Sequence, residues 1–418
     1  MPNDFSTPPL SYSTAALAKP ITVGRITLGH RLALAPLTRF RADKNHVHGD
    51  LAVEYYTQRA STPGTLLITE GTFIADRAGG FDNVPGIWNA DQVQAWKRVT
   101  DGVHARGSFI FCQLWALGRA AERSMLPAQY DIHSSGNISM SEGVAPQAKM
   151  SDYVQGGDKP RPLTIEEIDE YVETYAQAAR NAIEAGFDGV EIHSANGYML
   201  DQFLQTNANN RTDAYGGSAA NRIKFTTRVV RAVADAIGAD RVGLRLSPYE
   251  RFNGMYSGPL AAMETFSLII RTLAPLGLGY LHLTEPRVSG QLQTSQDSGW
   301  GLQETIDWAT AIWLGKPGAE ATVTKTLQVE DLPVVDGTAA PTNVLIVAGG
   351  YSAQTAAARA TDAELRGENV VVAFGRYFIS NPDLPARVLK GIPLAKYDRT
   401  TFYKRESPVG YTDYPFAE

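Results

Sequence analysis

The chain alternates short apolar runs, rich in β-branched residues, with longer segments of helical periodicity, and it does so eight times. The predicted strands cover residues 32–37, 65–70, 108–114, 189–193, 242–247, 280–285, 343–348 and 369–374. The predicted helices cover residues 50–62, 91–105, 165–185, 221–237, 262–275, 303–314, 352–366 and 383–390. Near-continuous apolar strands between helices indicate a parallel sheet covered by helices, and eight units close a barrel. We therefore predict an α/β fold with one domain over residues 1–418, a single (β/α)8 TIM barrel.

An open, doubly wound sheet is the alternative architecture for such a repeat. It would place a glycine-rich dinucleotide loop after the first strand. That position instead reads Ala-Pro-Leu-Thr-Arg-Phe, which favours the barrel. Helix-start signals support the assignment, because Thr164 with Glu167 forms a capping box and Ser352 can cap the alanine-rich helix that follows.

Three segments lie outside the repeat. Residues 21–31 alternate and turn at glycine, which predicts an N-terminal hairpin that closes the barrel floor. Residues 116–163 follow the third strand and therefore leave from the C-terminal mouth, so we expect a long lid over the site. Residues 315–342 follow the sixth helix, on the floor side, and are predicted to be a peripheral insertion or an oligomer contact.

Composition narrows the class of partner. The net charge of −6 and the absence of a Lys/Arg run argue against nucleic acid or an anionic membrane, so a small molecule is the expected ligand. The single cysteine, Cys112, suits a reducing compartment. With neither a signal peptide nor an apolar stretch of about 20 residues, we expect a cytoplasmic protein. No metal site is predicted, because the pair His46 and His48 has no evident further ligand.

Polar side chains cluster directly after the fourth strand. Residues 189–198 read Gly-Val-Glu-Ile-His-Ser-Ala-Asn-Gly-Tyr, so the strand ends in His193, Asn196 and Tyr198. The carboxyl ends of barrel strands carry the chemistry of such enzymes. His193 and Asn196 can grip one ligand oxygen, with the Tyr198 hydroxyl close by. A lone histidine here would more often be a satisfied core residue, but three converging polar groups favour a site.

The last two strands end in glycine pairs or Gly-Arg. Gly349 with Gly350, and Gly375 with Arg376, each precede a helix. Glycines let backbone N–H groups approach a phosphate, the helix N-terminus favours an anion, and arginine can bind it in a bidentate manner. Simple tight turns are the alternative, yet the joint position favours a phosphate site.

A phosphorylated cofactor across the mouth would place its ring above Arg245. This inward-facing arginine needs an anion, either Glu191 on the adjacent strand or a cofactor that becomes anionic, such as a flavin. Thr38 and Gln113 could hydrogen-bond the flavin edge, although each alone could be an ordinary strand-end residue. No lysine stands at a strand end, which argues against Schiff-base chemistry.

Together these motifs resemble the Old Yellow Enzyme family of FMN-dependent ene-reductases, in its yeast and fungal branch with threonine at position 38. The matching stretches are His-Ser-Ala-Asn-Gly-Tyr, Ala-Pro-Leu-Thr-Arg, Ile-Thr-Glu-Gly, Gln-Leu-Trp, Gly-Leu-Arg-Leu-Ser-Pro and Phe-Gly-Arg-Tyr-Phe-Ile-Ser-Asn-Pro-Asp-Leu. They run in one order from about residue 20 to residue 415. The insertion at 315–342 departs from the pattern just before the seventh strand.

The resemblance implies a role for each matching position. His193 and Asn196 would hold the carbonyl or nitro oxygen of an enone, enal or nitroalkene, and Tyr198 would protonate the α-carbon. Non-covalent FMN would be bound, and NADPH would be the reductant in a ping-pong cycle. The implied FMN contacts are Thr38, Gly71, Gln113, Arg245, Gly349, Gly350, Gly375 and Arg376. The implied substrate-lining residues are Trp115, Phe81 and Tyr403.

Two other functions stay open at this point. One is a flavin-dependent isomerase or reductase step on a dedicated secondary metabolite, in which NADPH need not be consumed with substrate. The other is a flavin-binding barrel without turnover, which the combination of the oxygen clamp with Tyr198 argues against. The oligomeric state is left as monomer or homodimer.

Overall fold

The computed structural model describes residues 12–142, 158–255, 257–286, 288–289, 292–293, 304–329, 335, 337 and 342–417. Eight strands form a closed parallel sheet, in which each pairs with its neighbours in sequence and the first pairs with the last. They are β1 (Leu32–Leu34), β2 (Leu66–Ile68), β3 (Phe109–Trp115), β4 (Gly189–Ser194), β5 (Val242–Leu246), β6 (Tyr280–Thr284), β7 (Leu345–Ala348) and β8 (Val370–Phe374). The predicted (β/α)8 barrel is confirmed.

One helix of the outer layer follows each strand. They are α1 (Asp50–Arg59), α2 (Ala90–His104), α3 (Ile165–Glu184), α4 (Lys224–Ile237), α5 (Pro259–Leu273), α6 (Asp307–Trp313), α7 (Ala353–Leu365) and α8 (Leu384–Lys390). Short helices are added at Met199–Leu204, Ala219–Arg222, Ala319–Leu327 and Arg376–Ser380. Two-residue strands are added at Thr72–Phe73, His133–Ser134, Arg161–Pro162, Val288–Ser289 and Leu292–Gln293. No helix in the described part of the chain has the length and apolarity that a membrane span requires.

Side-chain caps fix where some of the outer helices begin. At α3, the Thr164 hydroxyl accepts the Glu167 N–H at 3.2 Å and the Glu167 carboxylate accepts the Thr164 N–H at 2.8 Å. Ser352 makes the equivalent exchange with Thr355 at the start of α7. Each cap satisfies helix N–H groups that have no partner within the helix. Both predicted helix starts are confirmed.

A two-stranded hairpin precedes the barrel, as predicted. Its strands, Ile21–Val23 and Ile26–Leu28, pair antiparallel. The buried hairpin side chains join one apolar cluster with inward-facing barrel residues such as Ile346 and Val371. The hairpin therefore closes the barrel floor, and the mouth at the carboxyl ends of the strands remains open.

The two predicted insertions lie where the topology requires. The insertion at 315–342 contains the helix Ala319–Leu327, which the sequence analysis did not predict and which packs against α5 and α6. Its residues 330–334, 336 and 338–341 lie outside the described chain, and a role as an oligomer contact stays a prediction. The lid follows β3, and its residues 143–157 are also outside the part of the chain that the structure describes.

Candidate active site

A cavity of about 720 Å³ opens at the carboxyl ends of the strands. This is the end of a barrel where loops bring functional side chains together. Most of the predicted site residues line it, namely Thr38, Phe81, Trp115, Asn196, Tyr198, Arg245, Gly349, Gly350, Gly375, Arg376 and Tyr403. Side chains from opposite ends of the sequence thus meet in one space.

Three predicted site residues, Gly71, Gln113 and His193, lie just behind this lining. Gly71 packs against the Trp115 ring, because a Cβ there would lie 2.4 Å from a ring carbon. Its lack of a side chain is therefore explained by this ring contact. Gln113 and His193 are 2% and 4% exposed, so they can reach a ligand only through the small part of each side chain that faces the cavity.

Asn196 is held by two residues of the loop after β5. Its backbone has φ of 56°, a left-handed conformation that asparagine tolerates better than most residues. Its N–H donates to Ser247 Oγ at 2.7 Å, and its carbonyl accepts Asn253 Nδ2 at 2.9 Å. Asn253 also lines the cavity and also has positive φ, 58°. Sequence reasoning missed Asn253, although the dipeptide with Gly254 is a turn signal.

Tyr198 stands between two rings at the wall of the cavity. Its ring meets Trp115 edge-on at 4.7 Å and His193 at 5.1 Å between centroids. Asn253 hydrogen-bonds its hydroxyl. Burial raises the pKa of Tyr198 above its ordinary value, more than Asn253 lowers it. The phenol is consequently protonated at neutral pH and is a proton donor.

The His193 ring is neutral. Burial first, and then the positive charge of Arg245, lower its pKa well below the usual value. Its Nδ1 accepts the Ala195 N–H at 3.3 Å. In the neutral ring the proton therefore resides on Nε2, which becomes the hydrogen-bond donor.

Arg245 is a half-buried cation without an ion pair among the described residues. Its side chain lines the cavity, its Nε has no hydrogen-bond partner, and no carboxylate in the described part of the chain lies within 4.0 Å of it. Glu191 instead bonds to His282 and Gln113. The ion pair with Glu191, one of the two alternatives for this arginine, is not formed. A guanidinium that lines the cavity and has no ion pair within the described part of the chain fits an anionic ligand group there.

The opposite end of the cavity is a cradle of glycines. Gly349 and Gly350 have φ of 141° and 63°, and a Cβ at Gly349 would lie 2.6 Å from Glu285 Cβ. Gly375 precedes Arg376, which also lines the cavity. Bare backbone beside an arginine fits a phosphate. With Arg245 at one end and this cradle at the other, the residues present fit FMN.

Aromatic rings form the outer wall. The ring centroids of Phe81 and Trp115 lie 6.1 Å apart. The Phe40 ring connects Tyr403 to them, since its centroid lies 5.5 Å from that of Tyr403 and 6.2 Å from that of Phe81. Phe40 was not predicted, because its position depends on a left-handed backbone with φ of 57°. Lid residues 120, 122, 124 and 125 also line the cavity, so the described part of the lid reaches the site as expected.

Comparison with known proteins finds relatives along the whole chain. Residues 16–310 match the family described as NADH:flavin oxidoreductase / NADH oxidase. The chain is 46% identical over 404 residues, 96% of each chain, to a Penicillium roqueforti protein named chanoclavine-I aldehyde reductase. Among solved structures, it resembles morphinone reductase with a TM-score of 0.77 and 35% identity, over 98% of each chain. It also resembles an Old Yellow Enzyme from a Pichia species with a TM-score of 0.77 and 36% identity, over 96% of this chain and 93% of that one.

Proposed function

Because the chain belongs to the NADH:flavin oxidoreductase / NADH oxidase family, as an FMN oxidoreductase of the Old Yellow Enzyme type, we propose that it reduces activated C=C bonds with NADPH. The substrates are α,β-unsaturated carbonyl or nitro compounds. The net change is addition of one hydride and one proton across the alkene, with oxidation of NADPH to NADP⁺.

The observation that carries this proposal is the position of Tyr198. Its protonated hydroxyl faces the same cavity as Asn196, one strand end away from Arg245. A donor with raised pKa does not lose its proton to solvent, yet it can release the proton to carbon as negative charge develops there. Asn253 then stabilises the phenolate oxygen through its hydrogen bond.

His193 and Asn196 hold the substrate oxygen in this proposal. The His193 Nε2 proton and the Asn196 amide are two donors from one strand end, and the backbone of Asn196 is fixed by Ser247 and Asn253. Donors fixed before the reaction stabilise an oxygen that gains negative charge without reorganising. They therefore both orient the substrate and make its β-carbon more electrophilic.

The remaining predicted residues hold the cofactor. Gly349, Gly350, Gly375 and Arg376 would bind the FMN phosphate, and Thr38, Gln113 and Arg245 would contact its ring system, with Gly71 behind Trp115. When bound, FMN supplies the hydride that the alkene receives. The aromatic wall of Phe81, Trp115 and Tyr403 excludes water and covers the substrate.

Exchange of Tyr198 for phenylalanine tests the proposal, because it keeps the ring and removes only the proton. In Tyr198→Phe we expect normal FMN content and normal reduction by NADPH. Stopped-flow reoxidation by an enone should slow by about 10²–10⁴-fold, whereas reoxidation by oxygen should barely change. The matched control is Tyr130→Phe, since Tyr130 packs in the same apolar cluster but does not line the cavity. Enone reoxidation as fast in Tyr198→Phe as in the parent would show that another group is the donor.

A second candidate is favoured by the similarity to a protein named as an aldehyde reductase. In that case the physiological substrate is a dedicated secondary metabolite, and the enzyme performs a reductase or isomerase step on it. Stoichiometry separates the two outcomes, because a reductase consumes one NADPH for each substrate and an isomerase consumes none.

A further inference from the structure

A buried group of polar side chains lies beneath the cavity, on the inner face of β3 to β6. Glu191 accepts Gln113 Nε2 at 2.7 Å with Oε1 and His282 Nδ1 at 2.8 Å with Oε2. All three side chains are at most 2% exposed. We propose that His282 is a positioning residue of the cofactor site, which sets Glu191 and thereby the polar groups that FMN meets. This inference rests on the FMN binding in the proposed function and not on the identity of the substrate.

Glu191 and His282 meet although β5 separates their strands. The register partner of Glu191 on β5 is Gly243, which places no side chain between them. The Tyr280 ring fills that space instead, since a Cβ at Gly243 would lie 2.2 Å from it. His282 lies two residues nearer the mouth than Tyr280, opposite Arg245. The glycine thus makes a contact across two strands possible.

The pair consists of a carboxylate and a neutral imidazole. Burial opposes ionisation of Glu191, but His282, Arg245 and Gln113 together keep its pKa below the ordinary value. Burial lowers the pKa of His282. With its proton on Nδ1, the neutral His282 ring satisfies one carboxylate oxygen without adding a positive charge.

Two consequences reach the cavity. Both oxygens of Glu191 are occupied, so the carboxylate is held away from Arg245, and among the described residues that guanidinium has no ion pair. The Gln113 side-chain amide donates to Glu191, and its carbonyl oxygen is therefore available to accept a hydrogen bond from a ligand. The floor of the site therefore presents the Arg245 guanidinium and the Gln113 carbonyl oxygen to a ligand. By holding Glu191 in place, His282 keeps both groups available.

The test compares His282→Leu with His282→Asn in the holoenzyme and in the FMN-depleted protein. Leucine removes the donor, so Glu191 turns to Arg245 and neutralises it. We expect FMN affinity, measured by fluorescence titration, to fall on the order of tenfold, and the midpoint potential of bound FMN to fall. Asparagine can place an amide N–H near the position of Nδ1, so the FMN affinity of His282→Asn should stay within about twofold of that of the parent.

Two further variants separate positioning from general stability. Glu191→Gln removes a negative charge that lies more than 4.0 Å from Arg245 but still acts on it, so the potential should rise, opposite to His282→Leu. This variant tests the inference even if His282→Leu fails to fold. His30→Leu is the control, because His30 is also a buried histidine but bonds to Thr65 at the start of β1 and β2. It should lower stability without changing the potential. Unchanged potential in both Glu191→Gln and His282→Leu, or a His282→Asn protein that behaves like His282→Leu, would overturn the inference. Since no substrate is used, failure of ene-reduction does not affect this result, and absence of FMN binding by the parent would instead refute the cofactor.

Discussion

At the scale of the residue, the candidate site depends on side chains whose ionisation burial has fixed. His193 is neutral with its proton on Nε2, and Tyr198 is protonated. Neither group changes charge near neutral pH, so ligand binding at this pair should depend on hydrogen-bond donation and not on titration of the protein.

Removal of the imidazole should therefore weaken binding of phenols or enones. In His193→Ala the ligand oxygen loses one donor, a cost of about 1–3 kcal/mol. Spectral titration of the FMN-bound protein with a phenol measures the affinity. His133→Ala is the control, because His133 is buried in the lid but does not line the cavity. Equal phenol affinity in His193→Ala and the parent would place the oxygen elsewhere.

The sequence could predict those residues that follow a strand directly. His193, Asn196 and Tyr198 are visible because the end of β4 fixes where they lie. Asn253 and Phe40 were missed, since each lies well beyond the end of its strand, in a loop whose path the strand does not fix. The Asn253-Gly254 dipeptide marks a turn, but the position of the side chain depends on contacts with distant residues, such as the Asn253 bond to Asn196, which the dipeptide does not encode.

At the scale of the element, apolar periodicity predicted all eight strand and helix pairs with small errors at their ends. The helix Ala319–Leu327 was missed because its pattern is weak, with Ala319 and Val323 as its buried residues. The C-terminal segment is a second element that periodicity could not describe, for it has no regular structure over much of residues 391–417. Arginine side chains hold it instead. Arg41 alone donates to the carbonyls of Thr401, Phe402, Ser407 and Val409.

Exchange of this arginine for lysine should loosen the C-terminal segment while the barrel stays intact. A lysine ammonium cannot reproduce the planar fork of donors, so several buried carbonyls would lose their partners. In Arg41→Lys we expect faster limited proteolysis within residues 398–411, detected by mass spectrometry, and a higher KM for enone because Tyr403 belongs to this segment. FMN content should not change. Cleavage at the parental rate would mean that other contacts suffice to hold the segment.

At the scale of the whole molecule, buried histidines make stability depend on pH. Burial lowers the pKa of His30 to about 4, whereas an unfolded histidine titrates near 6.5. Above pH 6.5 the His30 side chain is neutral in both the folded and the unfolded protein. As pH falls toward 4, His30 binds a proton in the unfolded chain but stays neutral in the folded one. His30 therefore destabilises the fold progressively over this interval, by about 1.4 kcal/mol per pH unit. Asp201, whose pKa burial raises to about 7, acts in the opposite sense.

Substitution of His30 isolates its share of this dependence. His30→Leu should be less stable at pH 7.5, where it lacks the bonds to Thr65 and Leu32. Its urea midpoint should nevertheless fall less steeply between pH 6.5 and 4.5. The slope should correspond to uptake of about one proton fewer on unfolding. Parallel pH profiles for the two proteins would show that His30 titrates in the folded state as it does in the unfolded chain.

The hairpin at Ile21–Val23 and Ile26–Leu28 has a kinetic consequence. Since it seals the far end of the barrel, molecules can enter the described cavity from one side, and reductant and acceptor must use the same doorway in turn. The reactant in excess, reductant or acceptor, occupies the cavity and prevents the other from binding. Initial rates at low concentrations should give parallel double-reciprocal lines, and a large excess of either reactant should inhibit competitively against its counterpart. Converging lines would mean that both reactants fit inside together.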